Sequence, residues 1–211
     1  MNSCCPLFAT AYLPPIAFFA ELMRHSAICI EQFETFPKQT YRNRTIILTA
    51  NGTLPLVVPI THPYGNHTRT NNVGISYAER WNVNHWRAIV SAYSASPYFL
   101  YYKDPLESIL MHHYDRLIDL NDALLKLILK SLKITTLYTY STDYLRSINC
   151  DTDYRNVFSP KKDLPITFPP YSQVFETKMP FAPNLSILDL LFNLGPDAKR
   201  YLSRIPPIII G

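Results

Sequence analysis

Glycine is scarce in this 211-residue chain: five residues, at 52, 65, 74, 195 and 211, with no two close enough to form a phosphate-cradling loop. That excludes a P-loop and a dinucleotide-binding fingerprint, so any phosphate must be held by side chains or by a helix N-terminus. The zinc-hydrolase helix motif and the serine nucleophile elbow are also missing. No apolar run reaches the roughly 18 to 20 residues that a membrane-spanning helix needs. The stretch Leu7 to Ala20 comes nearest, but Pro14-Pro15 interrupts it and no basic segment leads it, which argues against a signal peptide.

Cysteine is sparse too. Cys4, Cys5, Cys29 and Cys150 show no metal-ligand spacing, and a chain of this length does not depend on disulfide staples, which points to a reducing, cytoplasmic setting. The net charge of +4 is modest and the basic residues are dispersed, so nucleic acid is not implied. A small anionic ligand suits the charge equally well. His62 and His67, or His112 and His113, lack identifiable partners for a metal, so none is predicted.

What is present is enough apolar sequence, 47% of residues, for one well-buried domain spanning 1–211. Pro6 to Tyr12 reads as a buried strand, Leu13-Pro14-Pro15 as a turn, Ile16 to His25 as a helix and Ala27 to Ile30 as a returning strand. Together they predict a βαβ unit, whose ligand side is the carboxyl ends of its strands, near Tyr12 and Glu31. Asn51-Gly52 between two apolar runs predicts a β-hairpin over 45–60, with Pro55 and Pro59 confining its second strand to an edge. Thr61 to Gly74 reads as a loop.

The second half reads as largely helical, in an α/β fold with a mixed sheet. Helices are expected over Asn82–Ser94, from Ser96-Pro97, from Asp104-Pro105 with Glu107 as a box-like carboxylate, and over Tyr114–Leu132. A strand follows at Thr135–Tyr140. Asp143 to Pro183 shows no clear period and suggests short strands and loops. Ser186 and Asp189 suit a capped helix ending at Gly195.

Two groups carry chemistry. Lys38, Arg42 and Arg44 lie within seven residues, and an extended backbone would put all three on one face. They read either as an anion site with arginine forks or as a solvated ion-pair network with Glu31 and Glu34. Trp81 and His85, four apart, share a helical face, with Trp86 and Tyr93 beyond. They read either as an indole platform beside a general base or as a core tryptophan beside a structural histidine.

Several segments, in order along nearly the whole chain, carry a resemblance: Ala11-Tyr-Leu-Pro-Pro-Ile16, Lys38-Gln-Thr-Tyr-Arg-Asn-Arg44, Thr49-Ala-Asn-Gly52 with Leu56-Val-Val-Pro-Ile60, Trp86, Ala92-Tyr93, Ser96-Pro-Tyr-Phe99 and Asn184 to Pro196. They resemble the WbqC-like protein family, associated with bacterial O-antigen and surface polysaccharide biosynthesis. The resemblance implies a transferase passing an aminoacyl or glycyl group to a sugar precursor. A nucleotide sugar or acyl donor would be its small anionic substrate, and no cofactor is specified.

Carried over by position, the family pattern includes Tyr12, Pro14, Glu31, Glu34, Lys38, Arg42, Asn43, Arg44, Asn51, His85, Trp86, Tyr93, Pro97 and Asp189. On this reading His85 is the base and Glu31 or Glu34 its substitute. Lys38, Arg42 and Arg44 hold phosphate, and Trp86 or Tyr93 stacks the sugar, with Tyr12 and Asn43 completing the substrate set. Phe33 stands where related members have a histidine, which counts against a catalytic role at that position. The rival is a protein that holds a sugar-nucleotide or lipid-linked glycan without chemistry.

Overall fold

The computed structural model describes residues 5–146 and 152–209, so Cys4 and Cys150 lie outside the described residues. Strand β1 (Leu7–Ala9) runs into the Leu13-Pro14-Pro15 turn, helix α1 (Ile16–Leu22) crosses back, and β2 (Ala27–Glu31) pairs parallel to β1 with Leu7 opposite Cys29. Leu13 takes a left-handed backbone, with φ of 44°, rare for a branched residue. Its carbonyl accepts hydrogen bonds from the Thr45 hydroxyl at 2.6 Å and the Ser186 hydroxyl at 3.1 Å, which tie the turn to distant parts of the chain. Every residue of α1 is buried, so the crossover helix is a core element and not a cover.

The hairpin forms from β3 (Arg44–Thr49) and β4 (Gly52–Val57). Its turn differs from the expected Asn-Gly pair: Ala50 and Asn51 make the connection, and only Gly52, with φ of 107°, takes positive φ. Among the described residues β4 pairs with β3 alone, so Pro55 sits where its missing N–H costs no ladder bond. Short strands β5 (Ile60–Thr61) and β6 (Gly74–Ile75) bracket the Thr61–Gly74 segment, which holds two 3-10 turns.

Helices α2 (Trp81–Tyr93), α3 (Phe99–Met111) and α4 (Leu117–Ser131) follow. No helix starts at Asp104-Pro105. Pro105 lies inside α3, whose backbone carries on through the proline. Ser96 does not cap α3 either: its hydroxyl donates to the carbonyl of Tyr93 at 2.6 Å, closing the end of α2.

Strand β7 (Leu137–Tyr140) then pairs parallel to the other edge of β2, giving the order β1-β2-β7 with β2 in the centre. Between 152 and 185 the described chain holds turns and one isolated bridge, Leu7 to Asp153, where short strands were expected. Ser186 caps α5 (Ile187–Leu194) by accepting from the Leu188 N–H, and α6 (Ala198–Leu202) closes the order. Gly195 ends α5 at φ of 51°, and a Cβ there would meet the Tyr98 ring at 2.5 Å. One apolar cluster takes in residues from Phe8 to Ile208. No helix among the described residues is long and apolar enough to cross a membrane.

Candidate functional site

The carboxyl end of β2 is where this sheet gathers charge. Glu31, the last residue of the strand, is wholly buried. Its Oε1 accepts from the Phe33 N–H at 2.7 Å and the Ser141 hydroxyl at 2.9 Å, and its Oε2 accepts from the Leu145 N–H at 2.9 Å. Ser141 directly follows β7, so one carboxylate joins the exits of two parallel strands to the segment beyond. Its acceptor capacity is largely used, which makes it a brace.

Three residues on, Glu34 meets Arg42. Arg42 donates through Nε to Oε1 at 2.7 Å, and its Nη2 lies 2.6 Å from the same oxygen. Burial raises the Glu34 carboxyl above its ordinary range, and Arg42 opposes this only in part. Burial also lowers the Arg42 guanidinium, against the pull of Glu34. Arg42 Nη2 further donates to the Arg155 carbonyl at 3.2 Å.

Arg155 grips Asp153 with three side-chain bonds, Nε to Oδ1 at 2.9 Å and to Oδ2 at 3.2 Å and Nη2 to Oδ2 at 2.6 Å, and donates to the Leu145 carbonyl at 2.8 Å. The bond to Asp153 raises the Arg155 guanidinium. Burial works against ionisation of Asp153, but Arg155 outweighs it and holds that carboxyl below the usual range.

Beside this network opens a cavity of about 430 Å³ lined by Phe33, Glu34, Thr35, Pro37, Arg69, Tyr144 and Asn156. Its size suits one sugar or a small substrate. Segments 34–36 and 68–70 form its floor by backbone pairing: Thr70 N–H to the Glu34 carbonyl at 2.9 Å and Phe36 N–H to the Thr68 carbonyl at 3.0 Å. Arg69 lies between these threonines, its guanidinium 5.8 Å from the centre of the Phe33 ring. Arg155 lies 5.9 Å from the centre of the Tyr144 ring. A second space of about 10 Å³, the room of a single water, lies among Thr10, Tyr41, Arg42 and Arg155.

The cations expected on one face are dispersed. Residues 38–43 are bends and turns with Gln39 at φ of 58°, so the alternation of an extended strand never applies. Lys38 is exposed, Arg42 is committed to Glu34, and Arg44, half-buried, has its Nε without a hydrogen-bond partner among the described residues. Asn43 extends the hairpin by donating through Nδ2 to the Val58 carbonyl at 3.0 Å.

The aromatic group sits in the interior. Trp81 and His85 do share a face, with ring centres 5.1 Å apart, edge to face. His85 is 6% exposed, and Tyr12, fully buried, brings its hydroxyl to 2.9 Å from Nδ1. Burial pushes the imidazole down to about 4, against a backbone hydrogen bond at Val57, so the ring is neutral at pH 7. Tyr93 is buried against Asp189, to which its hydroxyl donates at 3.1 Å. Trp86 stacks on Phe99 with centres 6.1 Å apart.

The pattern of the WbqC-like protein family matches residues 10–159 and 161–201, nearly the whole chain. The chain belongs to the WbqC-like protein family. Uncharacterized protein Rv1507c of Mycobacterium tuberculosis is 28% identical over 218 aligned positions, covering 90% of this chain and 94% of that one. No solved structure matches.

In this WbqC-like chain the cleft takes Glu34 from the residues nominated by sequence, with Glu31 and Arg42 in the network beside it. It adds Arg69, Tyr144 and Asn156 to its lining and Arg155 to the network, none of which sequence reasoning found. Asp153-x-Arg155 was the one available signal, an acid and an arginine two apart, whereas Arg69 and Asn156 sit in turn-rich segments with no period.

Proposed function

We propose that this chain is a transferase that passes an aminoacyl or glycyl group to a sugar precursor of a surface polysaccharide, and that the cleft at the carboxyl end of β2 is its active site. The observation that carries this reading is Glu34: a carboxyl held above its ordinary range while lining a cavity of about 430 Å³. A carboxylate whose proton affinity is raised by burial is a better general base than one in water. The family's association with polysaccharide biosynthesis supports the substrate class.

Glu34 takes the proton of the acceptor hydroxyl or amine as that atom bonds to the donor's carbonyl carbon. The bond from that carbon to its leaving group then breaks, and the leaving group departs with the electron pair and with the proton returned by Glu34. Arg69 holds the donor's anionic portion. Phe33 and Tyr144 offer ring surface to the sugar's apolar face. Arg42 keeps the Glu34 carboxyl oriented. His85, neutral and bonded to Tyr12, supports the packing of α2 and takes no part in proton transfer.

A panel of nucleotide sugars and activated aminoacyl donors, screened by thermal shift and then by the mass of the products, tests this. Turnover that is lost in Glu34→Gln with binding retained is the expected result. Binding without turnover anywhere in the panel would favour a protein that holds the precursor without chemistry.

A further inference from the structure

Another cavity, of about 260 Å³, opens at the far end of the chain between α5, α6 and the 170–171 segment, lined by Pro170, Tyr171, Leu194, Asp197, Arg200, Tyr201 and Arg204. None of its residues belongs to the cleft at β2. Arg200 and Arg204 are both exposed, and among the described residues neither guanidinium has an ion pair. Other arginines are committed to carboxylates, Arg42 to Glu34, Arg116 to Asp119 and Arg155 to Asp153, whereas Arg44, Arg69, Arg80 and Arg87 are without an ion pair among the described residues but do not share a cavity two at a time. Two arginines without ion pairs lining one concavity, with Asp197 as its one carboxylate, leave it a net positive charge.

The aromatic wall decides what else fits. The Tyr171 hydroxyl donates to Asp189 at 2.6 Å and the Tyr201 hydroxyl donates to the Pro169 carbonyl at 2.6 Å. Both polar tips are spent inward, so what lines the cavity is ring carbon, mostly of half-buried Tyr171 with Tyr201, 5% exposed, edge to face at 5.0 Å between centres. Pro170 and Leu194 add apolar surface. The cavity falls short of the usual range for a drug-sized ligand, roughly 300 to 1,000 Å³, and has room for about one ring with its substituent.

We propose that this cavity binds a small ring-bearing anion, its carboxylate or phosphate on Arg200 and Arg204 and its ring against Tyr171 and Tyr201. Guanidiniums supply forked, charge-assisted bonds to either oxyanion. The ring contributes by displacing water from the apolar wall.

The test titrates the whole chain with benzoate, phenyl phosphate, benzamide and inorganic phosphate, followed by calorimetry and by the ring resonances of Tyr171 and Tyr201. Benzoate or phenyl phosphate, or both, will bind and shift both tyrosines, and whichever binds identifies the preferred oxyanion. Benzamide, without charge, and inorganic phosphate, without a ring, will bind at least about tenfold more weakly. The double variant Arg200→Gln/Arg204→Gln, both at exposed positions, will lose at least about tenfold in affinity, whereas Glu34→Gln will bind as the parent does. The proposal fails if neither ring-bearing anion binds, if either control binds as tightly, or if Glu34→Gln loses the affinity. It fails equally if the tyrosine resonances of the parent chain stay still on titration, a reading that does not depend on any variant folding.

Discussion

Arg42 is bound to Glu34 at 2.6 Å with both side chains buried, so the arginine that sequence offered as a phosphate ligand is spent on an internal carboxylate. The pair fixes where the cleft's acid points and leaves Arg69 as the cation that lines the cleft. Removing the arginine would strand a buried carboxylate. Arg42→Met is therefore expected to cost about 3 to 5 kcal/mol of stability by urea unfolding. A loss under about 1 kcal/mol would mean that the pair is solvated.

The same pair sets a pH dependence. Glu34 must be ionised to act as a base, and burial raises its carboxyl despite Arg42. The acid limb of kcat/KM should therefore lie above the ordinary glutamate value of about 4.3. Since Arg42 lowers the carboxyl, Arg42→Gln should move that limb to still higher pH. A limb that stays in place in this variant separates Glu34 from the titration.

The buried His85 gives the fold a pH-dependent stability. Its folded value of about 4 lies below the unfolded value of about 6.5, so the unfolded chain binds more protons between these limits. Stability is intact above about 6.5 and falls as pH drops towards 4, by up to about 1.4 kcal/mol per pH unit. His85→Gln should flatten that slope in urea titrations and leave kcat within a few fold. A drop in kcat beyond about 100-fold at an intact fold would return the base role to His85.

Asp189 closes a buried network in which carboxylate oxygens accept from the hydroxyls of Tyr93 and Tyr171 and from the Gln173 amide, the last at 3.0 Å. Asp189→Ala takes the acceptor from these three donors and from the Asn193 amide, which reaches the same carboxylate at 3.4 Å. We expect a loss of at least about 2 kcal/mol in thermal or urea unfolding, and Tyr171→Phe should lose less because it removes donor and bond together.

Much of the fold was readable where one local rule acts alone. The βαβ unit follows from two apolar strands around a crossover apolar but for Glu21, and the hairpin from two β-rich runs around Asn51-Gly52. Pro105 misled because a proline-led helix start looks the same in sequence as a proline carried inside a helix. Which applies depends on the packing of α3 against α2 and α4. The cation cluster misled because alternation presupposes extended backbone, and Gln39 at positive φ breaks it. Arg69, Tyr144 and Asn156 reach the cleft through segments without any period, so only the tertiary structure joins them.

The most direct test of the account is product formation by Glu34→Gln beside the parent chain, measured by mass on whichever donor and acceptor pair the parent turns over. The account predicts a loss of at least about 100-fold in kcat with substrate binding retained, in a variant whose unfolding midpoint falls because Arg42 loses its carboxylate but which is still folded at the assay temperature. Turnover at the parent's rate by Glu34→Gln would contradict it.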